Sequence, residues 1–324
     1  MTGAAPKSDP GAEVEAGVNA GGGHAEGRRP RVSIGLPVFN GARYLEETAR
    51  SVLDQTYRDL ELVISDNAST DETPEICRRL ALEDPRVRYE RADENLGAAP
   101  NYNCLVELAR GEFFKWAPHD DPLAPTLVER FVEELDARPD ASLVYARAVR
   151  IDEAGHQVGQ DTFSVATDAA SPARRAAHVI ANVSMATPVV GLTRLDALRR
   201  TRLIASFPAS DYVLLAELAL RGAIVEHPEP LMRRRVHDQT SRKVHVTKRA
   251  AQRWFDPSRK SWPLLTIKQR LMLEYARSGW RLGDGVPQKA WTAFEMMRAY
   301  CAKRLRVTVG GVRRRFQTST APSM

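Results

Sequence analysis

From Val32 to Val149 the chain alternates short apolar runs with longer runs of helical period. Val32-Ser33-Ile34-Gly35-Leu36 alternates and stops at Pro37, which predicts a first strand. Residues 42–56 then put Leu45, Ala49, Val52 and Leu53 on one helical face. Leu60 to Ile64 is nearly all apolar, as in a strand buried on both sides. Thr70 and Asp71 can cap a helix running through Ile76 and Leu80. A short strand follows at Val87 to Tyr89. The next helix, over 98–109, turns Tyr102, Leu105, Val106 and Ala109 inward. Gly111 ends that helix, and Phe113 to Ala117 forms the next strand. A helix over 125–137 buries Leu127, Val128, Phe131 and Leu135, and Leu143 to Val149 is again a strand. This order predicts an α/β fold with a mainly parallel, Rossmann-like sheet and helices on both faces.

Beyond Ile151 the pattern loosens. Residues 155–185 read as a loop or excursion of the kind that covers a substrate, and Val189 to Thr193 as a strand. Asp211 opens a strong helix carrying Leu214, Leu215, Leu218 and Leu220. Ile224-Val225 and Leu231 to Val236 suggest two late strands. From about 245 the chain is helical and basic. Trp291, Phe294, Met297, Cys301 and Leu305 make an apolar stripe opposite Lys289, Arg298, Lys303 and Arg304. The expected organisation is a disordered leader over 1–30, a catalytic domain over 31–241, a basic C-terminal helical extension over 242–310 and a disordered basic tail over 311–324.

Composition narrows the class. Of 324 residues, 43% are hydrophobic and 27% charged, which suits a globular protein. No apolar run is long enough to span a bilayer. The leader has no apolar core, so it is not a signal peptide. Cys77, Cys104 and Cys301 are scattered and fit neither zinc nor a disulfide framework, which points to a reducing, cytoplasmic setting. The net charge of +6 conceals an asymmetry: residues 231–324 hold 22 Lys and Arg against 5 Asp and Glu. Such an end suits an anionic partner surface, either membrane phosphate or nucleic acid. A solvated helical face explains the same charges equally well. The stripe at 291–305 favours an anionic membrane surface, peripheral at its inner face, and no nucleic-acid partner is expected.

The candidate chemistry lies at the strand ends, where open α/β sheets bind ligands. Four polar clusters fall there: Pro37-Val38-Phe39-Asn40, Ser65 to Asp71, Asn95-Leu96-Gly97 and His119-Asp120-Asp121. Asn40 and Asp66 would sit at adjacent ends, able to meet a pyrimidine imide or a ribose hydroxyl, with Phe39 offering a flat face. Each cluster alone is also an ordinary turn. Asn95-Leu96-Gly97 reads as a cap and tight turn, or as a loop closing on a base or ribose. Asp120 and Asp121 are electrostatically costly unless a cation or solvent relieves them, and Mg²⁺ or Mn²⁺ binds through such carboxylates plus phosphate oxygens. The other reading is a solvated acidic turn. His119 is a loop residue, a metal neighbour or a sugar contact. Asp211 is an N-cap or a general base. Arg235 and His237, in Arg235 to Ser241, could meet a diphosphate, with His237 a third metal ligand. There is no G-x-G-x-x-G after the first strand, no P-loop and no G-x-S-x-G elbow.

In this order the motifs resemble glycosyltransferase family 2, the inverting enzymes of GT-A fold. The resembling segments are Pro37-Val38-Phe39-Asn40, Val52-Leu53-Asp54-Gln55-Thr56, Asp66 to Asp71, Asn95-Leu96-Gly97 and the acidic motif ending at Asp121. The resemblance implies that Phe39 and Asp66 contact a nucleotide base, with Asn67 close by. It implies a divalent metal on the sugar diphosphate, Asp211 as catalytic base, and Arg235 and His237 near the active site. Where the family often carries D-A-D-D, this chain has Pro118-His119-Asp120-Asp121, so Asp120 is the principal expected metal ligand, assisted by Asp121 or His119. The expected partners are a nucleotide-sugar donor and a saccharide, lipid-linked or small-molecule acceptor, in polysaccharide or glycoconjugate synthesis. A nucleotidyltransferase needs a basic Gly-rich loop after the first strand, and residues 37–43 hold only Gly41 and Arg43. A non-enzymatic protein binding anionic surfaces through the basic end is the other alternative.

Overall fold

A computed structural model describes residues 29–238, 247–258, 265–283 and 285–319, with side chains as far as Thr308. The expected leader, apart from its last two residues, and Ser241 of the late motif lie outside the described residues.

Four parallel strands build the first half: β1 (Val32–Val38), β2 (Leu60–Asp66), β3 (Val87–Arg91) and β4 (Phe113–Trp116). They are linked by α1 (Ala42–Leu53), α2 (Thr73–Glu83) and α3 (Ala98–Leu108), and α4 (Leu127–Ala137) leads out of β4. Then come β5 (Ala141–Ile151), β6 (Gln157–Gln160), α5 (Pro172–Asn182), β7 (Leu192–Arg194), α6 (Leu195–Arg199), α7 (Ser210–Arg221) and β8 (Ala223–Arg235). The sheet order is β3-β2-β1-β4-β7-β5-β6, with β8 on the other side of β5. β7 runs antiparallel between β4 and β5, so the sheet is mixed but mainly parallel.

Three expectations change. The two late strands are one: β8 pairs with β5 along its length, and a register shift opposite Ala146 and Ala148 absorbs Pro228 and Pro230. The excursion over 155–185 is partly ordered, holding β6 and α5. The strand expected at 189–193 is shorter and later, after a 3₁₀ turn at Thr187–Val190.

The predicted apolar faces form the core. Leu45, Ala49, Val52 and Leu53 of α1 are buried, as are Leu127, Val128, Phe131 and Leu135 of α4. β2 carries one exception: Glu61 is fully buried and accepts from the Ser33 hydroxyl and the Arg110 N–H. α8 (Lys248–Phe255), α9 (Ile267–Leu282) and α10 (Gly285–Ser319) complete the chain. α10 packs against α9 and α5, and its backbone continues past the expected end at 310. A helix interior tolerates Gly310 and Gly311 at about 1 kcal/mol each.

The end of α1 braces the loop after β4. Gln55 is fully buried; its Nε2 donates to the carbonyls of Ser51 and Ala124, and its Oε1 accepts from the Val128 N–H. The Thr56 N–H donates to the Pro125 carbonyl, and the Ser51 hydroxyl accepts from Leu123 N–H. Replacing Gln55 by Leu strips the partners from buried backbone groups, so we expect a loss of about 1–3 kcal/mol, read as a lower melting temperature. A melt unchanged from wild type would show that the brace is dispensable.

Candidate functional site

β1, β2 and β3 finish level with one another, since Val38 pairs with Asp66 and Asp66 with Arg91. β4 stops at Trp116 opposite Gly35, and Ala117 N–H still donates to the Gly35 carbonyl. The loop after β4 therefore runs alongside the end of β1. All four predicted clusters gather at this one edge of the sheet.

The first three clusters are bonded to each other. Asn40, in the left-handed region at φ 51°, receives the Thr70 N–H on its Oδ1 and donates its own N–H to the Ser69 hydroxyl. Asp66 is fully buried, accepting from the Ser69 N–H and the Tyr89 hydroxyl and pairing with Arg91 at 3.2 Å. Asn67 donates to the Asn95 side chain and the Gly97 carbonyl, and accepts from Leu96 N–H. Asn40 and Asn67 thus shape the loops. Phe39, at 43% exposure, presents an open ring beside them, and Pro37 lies within β1. Gly97, at φ +89°, meets the far end of α8: a Cβ there would come within 2.6 Å of Pro257.

The fourth cluster is divided. His119 packs on Gly41, where any Cβ would meet its ring at 2.5 Å, and burial lowers the His119 pKa below the ordinary value. Asp120 Oδ2 takes a 2.9 Å hydrogen bond from His237 Nε2. Asp121 Oδ1 instead accepts from the backbone N–H of Arg235. Burial raises the Asp120 carboxyl, but the His237 hydrogen bond and the charges of His119 and His237 outweigh it and hold it below the usual range. Burial and the neighbouring Asp120 push Asp121 well above that range. The pKa values of the two adjacent acids are thus pushed apart, Asp120 downward and Asp121 upward, as expected of close carboxylates.

Arg235 departs from the expected diphosphate contact. Only 3% exposed, it donates from Nε to the Asp120 carbonyl and from Nη1 to the carbonyls of Asp152 and Glu153. Its Nη2 donates to the Glu47 carboxylate at 2.7 and 2.8 Å, and its guanidinium stacks on Tyr44. With its donors spent inside the protein, Arg235 positions the acidic loop instead of reaching outward. Tyr44 also packs on His237, with ring centroids 5.0 Å apart.

Asp211 lies in the first turn of α7 and is not its N-cap; that position is Ala209, at φ 71°. Asp211 accepts from Tyr212 N–H. The Tyr102 pKa is raised first by burial and then by the charges of Asp120, Asp121 and Asp211 together. The acidic loop and the first turn of α7 thus both act electrostatically on this side chain of α3. Sequence periodicity marks Tyr102 only as inward-facing. Glu47 and Tyr44 carry no motif signal at all.

Among the described residues no three His, Cys, Asp or Glu side chains converge as a ready-made metal cluster. What the loop offers is one ionised carboxylate, Asp120, held by His237. That donor set fits Mg²⁺ or Mn²⁺, which are bound by one or two carboxylates and complete their shell with phosphate oxygens and water.

The fold is that of the GT-A glycosyltransferases. A mannosyltransferase from Pyrobaculum calidifontis, solved with GDP-Man and Mn²⁺, aligns over 92% of this chain and 77% of its own, with TM-score 0.56 and 18% identity. S. aureus TarS 1–349 with UDP-GlcNAc aligns over 86% and 92%, with TM-score 0.53 and 14% identity. Residues 33–199 match the family Glycosyl transferase family 2, and the chain belongs to that family. Its curated relatives include glycosyltransferase GlyG of Streptococcus pneumoniae, 30% identical over 38% of this chain and 40% of that protein. Chondroitin synthase of Escherichia coli is 37% identical over 40% of this chain and 19% of that protein. The match thus spans less than half of either relative. Family membership sets aside the nucleotidyltransferase and the non-enzymatic alternatives.

Two outcomes follow from this geometry. Arg235→Lys keeps the charge but loses the fork that bridges Glu47 and three carbonyls. Turnover should fall at least about tenfold, with a measurable loss of thermal stability, and unchanged values of both would remove Arg235 from the positioning role. Lys115, buried on β4, donates to the carbonyls of Trp116 and Val190, and burial pushes its pKa down to about 7. With Asp121 it lines a cavity of about 20 Å³, room for one water. Between pH 7 and about 10.4 the unfolded chain binds the Lys115 proton and the folded chain does not, so stability should rise with pH across that window. Denaturant melts of Lys115→Met should show that rise flattened relative to wild type.

Proposed function

We propose that this protein transfers a glycosyl group from a nucleotide-diphosphate sugar to an acceptor hydroxyl, with inversion, in polysaccharide or glycoconjugate synthesis. The observation that carries the reading is the gathering of the four polar clusters at the carboxyl edge of the sheet, with Asp120 held there by His237 at 2.9 Å. The family match over 33–199 and the complexes of its structural neighbours with GDP-Man and UDP-GlcNAc support it.

In this reading the base of the donor lies against Phe39, with the Asp66–Asn67 and Asn95–Gly97 loops forming its walls. Asp211 takes the proton of the acceptor hydroxyl. The acceptor oxygen forms its bond to the anomeric carbon from the face opposite the leaving group. The bond from that carbon to the phosphate oxygen breaks, and its electron pair leaves on the diphosphate. Asp120, oriented by His237, would hold a divalent metal there, which supplies charge neutralisation for the diphosphate. Asp121, anchored to Arg235 N–H, fixes the loop that carries Asp120. The acceptor is a saccharide, a lipid-linked chain or a small molecule, and the reaction chemistry is the same for all three.

Asp211→Asn should lower turnover about 10²–10⁴-fold while leaving the donor dissociation constant close to wild type. Retained turnover would take Asp211 out of the base role. A hydrolysis screen over UDP-, dTDP- and GDP-sugars, with and without Mn²⁺, identifies the donor. Equal rates after chelation would remove the metal from the reading.

A further inference from the structure

α10 is apolar on two opposite faces. Its inner face buries Thr292, Met296, Ala299 and Tyr300 against its neighbours, and Tyr300 packs on Tyr275 of α9 at 5.5 Å. Lys303, expected on a solvent face, turns inward and donates to the carbonyls of Ile180 and Val183, closing the C-terminus of α5. The outer face is the predicted stripe, and it stays open: Trp291 is 47% exposed, Phe294 55% and Leu305 67%. Helical spacing sets Arg298 and Arg304 on either side of it. From Trp291 to Leu305 the stripe runs about 21 Å along the helix.

Beside it lies a groove of about 440 Å³ between α5 and α10. Its lining includes Arg174, His178, Arg298 and Arg306 against one carboxylate, Glu295, with Trp291 shared between groove and stripe. The carboxylates that α9 and α10 possess, Glu274 and Glu295, are both buried and ion-paired, so neither helix presents a free acid outward. No helix among the described residues is long and apolar enough to cross a membrane.

We propose that this face of α10, with the α5 groove, docks on the surface of a bilayer containing anionic phospholipid. Trp291, Phe294, Met297 and Leu305 enter the acyl boundary, while Arg298, Arg304 and Arg306 reach sideways to phosphate. Charge decides against a second copy of this chain as the occupant. Two such faces would bring Arg304 and Arg306 of each copy together, with Arg298 already paired to Glu295, whereas an anionic membrane supplies negative charge, and each nearby Arg adds attraction. The surface is remote in sequence from the residues placed at the donor site, so the proposal stands apart from the catalytic reading.

The test is flotation of the full chain with vesicles of phosphatidylcholine alone and of phosphatidylcholine with phosphatidylglycerol. Binding should require the anionic lipid and fall as salt rises. Trp291→Ser with Phe294→Ser should weaken binding about tenfold or more, and Arg304→Glu with Arg306→Glu should weaken it comparably. Both pairs should keep wild-type donor hydrolysis, which separates a failed membrane face from a failed site or fold. Absence of flotation at low salt overturns the proposal. So does flotation of both variants at wild-type strength. A dimer in sedimentation equilibrium that the Trp291 and Phe294 changes dissolve would assign the stripe to self-association instead.

Discussion

One buried guanidinium holds the site together. Arg235 ends β8, yet its bonds reach α1 through Glu47, the acidic loop through the Asp120 carbonyl and the turn after β5 through Asp152 and Glu153. Its backbone N–H fixes Asp121. A charge so enclosed is tolerated only while every partner is in place, because an unpaired buried ion costs several kcal/mol. The acidic loop therefore has one arrangement in which Arg235 is satisfied. In it His237, two residues further on, meets Asp120. The division of labour between the two acids follows: Asp121 anchors, and Asp120 faces the open edge.

The sequence shows local order well and distant pairing poorly. The strands and helices from β1 to α4 are legible because their apolar positions recur at periods of two and 3.6, and each ends in turn-forming residues. The four polar clusters are legible for the same reason, as strand ends. How they are satisfied is not. Asn40 and Asn67 read as ligand contacts, and the structure adds that they tie one loop to another. The Glu47–Arg235 pair is separated by 188 positions, and no pattern in one chain couples residues so far apart. Tyr102 looks like core because helical period says only that it faces inward, not what it faces.

The late strands illustrate a different limit. Pro228 and Pro230 break the apolar pattern, and a break reads as a boundary. β5 answers with a shift of register, so the pairing resumes beyond the prolines and β8 stays whole. The stripe on α10 misleads in the opposite sense. An apolar helical face normally marks the buried side, but here Met296, Ala299 and Tyr300 occupy that side and the more conspicuous aromatic face points outward.

The contact between Gly97 and Pro257 has a consequence for the order in which the protein matures. The segment that matches the family ends at residue 199, while His237 and the α8 end that rests on Gly97 come later in the chain. At about 5–20 residues per second, a ribosome that has finished the matched segment still needs several seconds to deliver them. During that interval the nascent sheet has β1 to β7 but lacks β8, and Asp120 has no histidine. Competence at this site thus arrives only after the segment that marks the family has been made.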